Sequence, residues 1–362
     1  MRGRRARLAL TLAAMLAATR TGRAEDKTVL IELERRSGAL PSAVNANGSV
    51  VVGGFDGVGG FYWMPTTGAI FLGGQQALGV SADGSRIVGI AYDGNLVANA
   101  AIWVRGTEWR LLGSFPNAVP CDRSLSSALG TNRDGSVVVG NASNGCTLAH
   151  AFRWQESTGM VDLGSVVPGR NTQALGVSGD GRVVVGGQDD ATGYRQGARW
   201  VDGREELFSG PGGMVGRARA ANHDGSIIVG GQCRPDQATD QSAWVWTPSG
   251  GVQCLPAPGR RSAPIQILTN GNALSDDGRV IGGRQGAASS PDQDAVIWID
   301  RSPAYLKDFL RANGVADAFE TWVNTGEITG ISPDGRILVG YGAARGGFRG
   351  YMVILGSKLV VP

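Results

Sequence analysis

The 362-residue sequence has two histidines, four cysteines and 18% charged residues. With so little histidine, acid–base chemistry would fall on His150 or on carboxylates. No C-x-x-C pair occurs and the cysteines are widely spaced, which argues against a zinc site. G-x-S-x-G, H-E-x-x-H, a phosphate loop and a dinucleotide fingerprint are all missing, so none of the reactions tied to those motifs is indicated. Nothing suggests a cofactor or metal. After the N-terminus no run approaches the ~18 apolar residues of a membrane helix.

The first 24 residues read as a separate object. Arginines 2, 4, 5 and 7 precede an apolar run from Leu8 to Ala18, and Gly22 and Ala24 close it. That order is the pattern of an export signal cleaved after Ala24. The segment carries six arginines and no acid, so its loss lowers the bases from 34 to 28 against 31 acids and turns a formal +3 into −3. No basic stripe survives to neutralise phosphates, which argues against a nucleic-acid partner. Residues 25–362 are expected to form one domain, exported to the periplasm or beyond, and to act as a monomer. Four cysteines allow three pairings; Cys121 with Cys146 and Cys233 with Cys254 are the local ones, and both are expected as disulfides in an oxidising compartment.

What the chain has in abundance is glycine, 58 residues, against a usual ~7%. Much of it belongs to one phrase repeated seven times: "NANGSVVVG", "SADGSRIVG", "NRDGSVVVG", "SGDGRVVVG", "NHDGSIIVG", "SDDGRVIGG" and "SPDGRILVG". Its turn glycines are Gly48, Gly84, Gly135, Gly181, Gly225, Gly278 and Gly335. Each [SN]-x-[DN]-G reads as a hairpin turn, and the β-branched run after it reads as a strand. The acids of these turns are therefore expected to serve the turn rather than to bind calcium.

A third strand follows, marked by [AG]-x-x-W ending at Trp63, Trp103, Trp154, Trp200, Trp246 and Trp298, with Val353 in the seventh copy. A fourth resembles "GMVDLG". Four strands in each of seven repeats predict an all-β, seven-bladed β-propeller, with the repeated tryptophans as packing anchors between blades. "KTVLIELE", Lys27 to Glu34, has no repeat of its own and is expected to complete the last blade; "SKLVVP" at the C-terminus is the competitor. Between the sixth and seventh repeats, Ser302 to Asn324 shows helical spacing. A helix over about 303–314 is expected, with Ser302 as N-cap, Pro303 at N1 and Gly314 at its end.

These residues resemble the HAF-repeat family, described as probable extracellular repeat proteins of bacteria. "ALGTNRDGSVVVG" with "AHAFRWQESTGMVDLG" carries the likeness most closely, and coverage runs from Ser42 to Leu355. Only the third repeat keeps the signature histidine, His150. The resemblance implies a propeller-like fold and export, and no common activity.

The fixed turns should form one uniform face, where His223 sits. The loops between second and third strands, and those between repeats, vary and share the opposite face, where binding is expected. Candidate ligand-binding residues there are Tyr92, Asp93, His150, Asp189, Asp190, Tyr194, Arg195, Tyr341 and Arg345, with Asp236, Asp240, Asp292 and Asp294 beside them. They suit a glycan, a peptide or an envelope-protein partner. A glycan-active lyase or hydrolase using loop carboxylates or His150, and a purely structural envelope protein, are the competing readings.

Overall fold

Each of the seven phrases folds as a hairpin. The computed structural model describes residues 27–33, 38–116, 125–234, 240–259, 267–287 and 293–362. The expected signal segment, Cys121, Asp236 and Asp292 lie outside them. In the last hairpin, Glu327–Ile331 enters Ser332-Pro333-Asp334-Gly335 and returns as Ile337–Ala344. Ser332 Oγ donates to Asp334 Oδ1 at 2.5 Å, that carboxylate accepts the Arg336 N–H at 3.0 Å, and Ser332 Oγ accepts the Ile337 N–H at 2.9 Å. The same serine–aspartate contact recurs at Ser81–Asp83, Ser178–Asp180 and Ser275–Asp277. All seven turn glycines have φ between 69° and 79°, where a Cβ is penalised. The acids thus serve the turn; hydrogen bonds from the Ser81 hydroxyl and then from Ser85 hold Asp83 at about 2.

The glycine that ends each phrase has a different task. On the inner strand of every hairpin, the residue after its partner is skipped by the register: Ser42, Leu78, Leu129, Leu175, Arg219, Asn272 and Thr329. This β-bulge bends the inner strand onto its neighbour. A Cβ on Gly53, Gly89, Gly140, Gly186, Gly230, Gly283 or Gly340 would lie 1.8–2.3 Å from an inner-strand carbonyl oxygen. Only glycine admits that approach.

The third and fourth strands pair outward from each hairpin. Among the described residues this gives five four-stranded antiparallel sheets, and an eight-stranded one in which two such sets meet through the pair Gly231 and Asn270. The hydrophobic core is divided between neighbours. One cluster joins Trp200 to Val137 and Val139 of the preceding sheet, another joins Trp298 to Val229 and Val245. The one holding Val51, Phe61 and Trp63 also contains Val339, Met352 and Ile354, so the last sheet packs on the first. Trp63, Trp103, Trp154, Trp200 and Trp298 are buried, and half-buried Trp246 lies under the Arg199 guanidinium. The repeated tryptophan is a packing anchor.

Two of these anchors differ in a testable way. Trp298 Nε1 donates to Pro256 O at 2.7 Å, whereas Trp200 Nε1 is buried without a partner. Trp298→Phe orphans a carbonyl and is expected to cost about 1–2 kcal/mol more than Trp200→Phe, as read from paired urea denaturation curves. Equal losses would contradict the assignment.

The strand Val29–Glu32 pairs antiparallel with Gly347–Ile354, Val29 opposite Ile354 and Glu32 opposite Tyr351. The N-terminal segment therefore supplies the fourth strand of the last sheet. Trp322 Nε1 donates to Glu32 Oε1 at 3.3 Å and adds a side-chain tie. The C-terminal tail instead crosses the helix, where Asn313 and Val360 exchange two hydrogen bonds.

The helix departs from expectation. It spans Leu306–Ala312, and its N-cap, Tyr305, makes no side-chain capping bond. Ser302 and Pro303 belong to the strand Ser302–Tyr305, which pairs with Gln293–Ile299. Asp300 and Arg301 both take positive φ, 48° and 70°, the two-residue turn that matches strand twist. Pro303 is tolerated because this strand is an edge and needs no outward donor. Gly314 does follow the helix, at φ 90°.

Candidate functional site

The seven bulged residues share one destination. Ser42, Leu78, Leu129, Leu175, Arg219, Asn272 and Thr329 all line a central cavity of about 320 Å³. Leu78, Leu129 and Leu175 come from consecutive hairpins and form an apolar arc. Arg219, Asn272, Thr329 and Ser42 form the polar arc facing it. The walls also include Leu40, Pro41, Gln76, Glu327 and Tyr341, which mark the end nearest the variable loops.

Glu327 organises the polar side. It accepts the Tyr341 hydroxyl at 2.7 Å and the Asn272 amide at 2.9 Å, with Arg284 Nε 3.8 Å away. Burial, and then the Glu327 charge, push the Tyr341 phenol well above its ordinary range, so it remains a neutral donor. Burial also lowers the Arg219 guanidinium, Arg284 adds repulsion and Glu327 opposes both. Arginine stays charged under any such shift of ordinary size. Among the described residues no side-chain hydrogen bond or ion pair is made by Arg217 or Arg219, and Arg217 Nε is buried without a partner.

The opposite end is built differently. Ala46, Ala82 and Arg133 each donate a backbone N–H to the next turn, onto Ala82 O, Arg133 O and Gly179 O. A collar of backbone hydrogen bonds thereby links neighbouring turns around a smaller cavity of about 180 Å³. Arg133 reaches across to an ion pair with Asp276, two turns beyond its neighbour. Gly179 makes room, since a Cβ there would meet His223 Nδ1 at 2.5 Å and Arg133 Nε at 3.0 Å. His223 stands on this exposed rim, as expected, and its backbone N–H donates to Asp276 Oδ1.

A second cavity of about 320 Å³ shares Leu40 and Gln76 with the mouth and runs outward between the first two sheets. Its walls include Gly54, Gly57, Gly59 and Gly74 with Phe55, Asp56 and Val58, and end at Tyr92, which is 46% exposed.

Of the residues singled out from sequence, the structure brings Tyr341 to the mouth and Tyr92 to its radial extension. Asp189 pairs with Arg195, and Arg195 shares the surface of Gly187 with Arg217. Asp93 and Asp190 are engaged in their own turns, accepting the N–H groups of Asn95 and Val97, and of Thr192 and Tyr194. Asp294 accepts from Thr325, and Asp240 is partly buried and engaged. Tyr194 and Arg345 are exposed. Cys233 and Cys254 form a disulfide, and Cys146 is disulfide-bonded. Sequence reasoning missed Arg217, Arg219, Asn272 and Glu327. Their signal was positional: they stand six or eight residues before the turn glycine, where the other repeats carry leucine, glutamine, serine, threonine or asparagine.

His150 lies away from the channel, on Ala149–Gln155. Its Nδ1 sits 2.9 Å from Asp162 Oδ2, and Asn144 contacts both. Nearby, burial raises Glu205 to about 7 against the opposing Val166 N–H and the His150 charge. A carboxyl whose folded value exceeds its unfolded one stabilises the protein below its ordinary value near 4.5 and loses that contribution as pH rises towards 7. Glu205→Gln is therefore expected to leave stability unchanged at about pH 4 and to raise it by about 1 kcal/mol at about pH 8, after allowance for solvent screening. Thermal melts at the two pH values check this; equal shifts at both would contradict it.

Among the described residues no His/Cys/Asp/Glu cluster could hold a metal ion, and no helix is long and apolar enough to cross a membrane. The sheets and their central cavity define a β-propeller-like repeat protein. No family model matches the chain, and no curated protein is matched by sequence. Solved structures share the fold. The GH74 xyloglucanase from Xanthomonas campestris aligns at TM-score 0.57 and 12% identity over 89% of this chain and 53% of its own. The oligogalacturonate lyase from Vibrio parahaemolyticus aligns at 0.52 and 13%, over 91% and 94%. Kuenenia stuttgartiensis hydrazine synthase aligns at 0.53 and 12%, over 90% and 97%. At such identities the likeness concerns the fold alone.

Proposed function

We propose that this chain is an exported seven-bladed β-propeller of the HAF-repeat kind. It acts as a monomeric binding module, taking a glycan, peptide or protein partner through its variable-loop face. The observation that carries the reading is the bulge ring, which sets an apolar arc against a polar one holding Arg219 inside a cavity that opens among the variable loops. Opposed chemistries around a cavity suit recognition of a polar ligand with an apolar side. The Cys233–Cys254 disulfide supports export, because such bonds persist in oxidising compartments.

The test is a screen of glycan and peptide arrays with residues 25–362, repeated with Arg219→Gln and Tyr92→Ala. The reading predicts hits that both variants weaken while their melting temperatures stay at the parent value. Hits that neither variant touches would place binding elsewhere. A glycan-active enzyme is the second reading. It draws on His150 held by Asp162 beside the raised Glu205, a pairing suited to proton transfer. None of the three lines the central cavity, which is why binding at the mouth is preferred.

A further inference from the structure

The geometry points to a specific ligand class for the mouth: the free C-terminus of a peptide whose last residue is apolar. This rests on the mouth being a ligand site.

Charge supplies the first argument. Arg219 lines the mouth, Arg217 and Arg284 stand close enough to disfavour its charge, and Glu327, also in the lining, lies 3.8 Å from Arg284. Asp189, the other nearby acid, is tied to Arg195. Glu327 is itself occupied by Tyr341 and Asn272. Arg284 has its acceptors in Gln293 Oε1 at 2.6 Å and the nearby Glu327, whereas Arg217 and Arg219 have none among the described residues, so the mouth keeps positive charge on an unsatisfied guanidinium, a state that an incoming anion relieves. A planar guanidinium matches a carboxylate in particular, by two parallel hydrogen bonds.

The leucines decide which carboxylate. Leu78, Leu129 and Leu175 line the same cavity as Arg219, Leu175 from the hairpin next to it and Leu78 and Leu129 farther round the ring. An acidic sugar seated there would press hydroxyls against them, and buried hydroxyls without partners are costly. Inorganic phosphate satisfies the arginines but leaves the leucines wet. An apolar terminal residue satisfies both sides: its carboxylate meets Arg219 and its side chain meets the leucine arc.

Two further features fit a chain end. The turn-face end is bridged by Arg133 and Asp276, so the ligand has one way in and terminates in the channel. On the open side, the groove through Leu40 and Gln76 to Tyr92 passes Gly54, Gly57, Gly59 and Gly74, with Phe55, Asp56 and Val58 among them. Upstream residues of an extended peptide lie along it.

The test uses two random hexapeptide libraries, identical except that one ends in a free carboxylate and the other in a carboxamide, on residues 25–362. Free-acid peptides ending in Leu, Ile, Val or Phe are expected to be selected. Amidation should weaken them by on the order of tenfold to a hundredfold, the value of a hydrogen bond to a charged group. Arg219→Gln should weaken the same peptides comparably; the amidation comparison stands even if that variant folds poorly. Equal binding of both libraries, still weakened by Arg219→Gln, would overturn carboxylate recognition and leave the mouth as a site. Selection of acidic glycans on arrays, with no peptide selected, would overturn the peptide class. Binding of any probe that neither Arg219→Gln nor Tyr92→Ala affects would remove the site itself and the inference with it.

Discussion

Gly140→Ala is expected to destabilise the protein by about 3 kcal/mol or more, at the severe end for adding one methyl group. The added Cβ would lie 1.9 Å from Ser127 O, closer than any relaxed contact. The carbonyl cannot retreat cheaply, because the bulge that places it there also turns Leu129 into the channel. Either the bulge straightens and the Leu129 side chain leaves the cavity, or the hairpin separates. Gly94→Ala is the control, since a Cβ there meets nothing within 4 Å; its effect should stay within about 0.5 kcal/mol. Urea denaturation of the two variants beside the parent decides the matter. Losses of similar size would mean that the phrase-ending glycine is not needed for close approach.

Removing the closing strand should have an effect of similar size. A chain beginning at residue 34 lacks Val29–Glu32, leaving Gly347–Ile354 as an unpaired edge. It also lacks Leu33, which is 5% exposed and belongs to the cluster joining the last sheet to the first. Burying one leucine contributes about 1.5–3 kcal/mol, and four residues of ladder pairing add to it. A total near 4 kcal/mol is expected, together with self-association through the bared edge. Thermal unfolding and light scattering, compared with a chain beginning at residue 25, measure both. An unchanged melting temperature and a monomeric truncated protein would contradict the role of this strand.

Much of the fold was legible because the repeat states it locally. Ser332-Pro333-Asp334-Gly335 names its own turn, and Trp200 and Trp298 mark the sheet interfaces by recurring at one strand position. The bulge was not legible. The need for glycine at Gly140 arises from the backbone of Ser127, whose approach depends on how the sheet curves. The start of the helix was misplaced because Ser302-Pro303 reads equally well as an N-cap with its first helical residue and as an edge strand. The deciding turn, Asp300-Arg301, takes positive φ without a glycine to announce it. Tyr92 and Tyr341, singled out from loop position, line the mouth and its extension. Arg219 and Glu327 were overlooked because they lie on inner strands whose other residues serve the scaffold. A repeat hides the residues that line its cavity among those that only fold it.

Hydrogen–deuterium exchange in the presence of a saturating array hit tests the central claim most directly. Occupation of the variable-loop mouth predicts slower exchange where the inner strands begin, around Leu40–Ser42, Gln76–Leu78, Arg217–Arg219, Asn272 and Glu327–Thr329. The turn collar at Ala46, Ala82, Arg133 and His223 should exchange as in the free protein. Protection confined to that collar, or to outer strands such as Ala149–Gln155, would contradict a ligand site at this mouth.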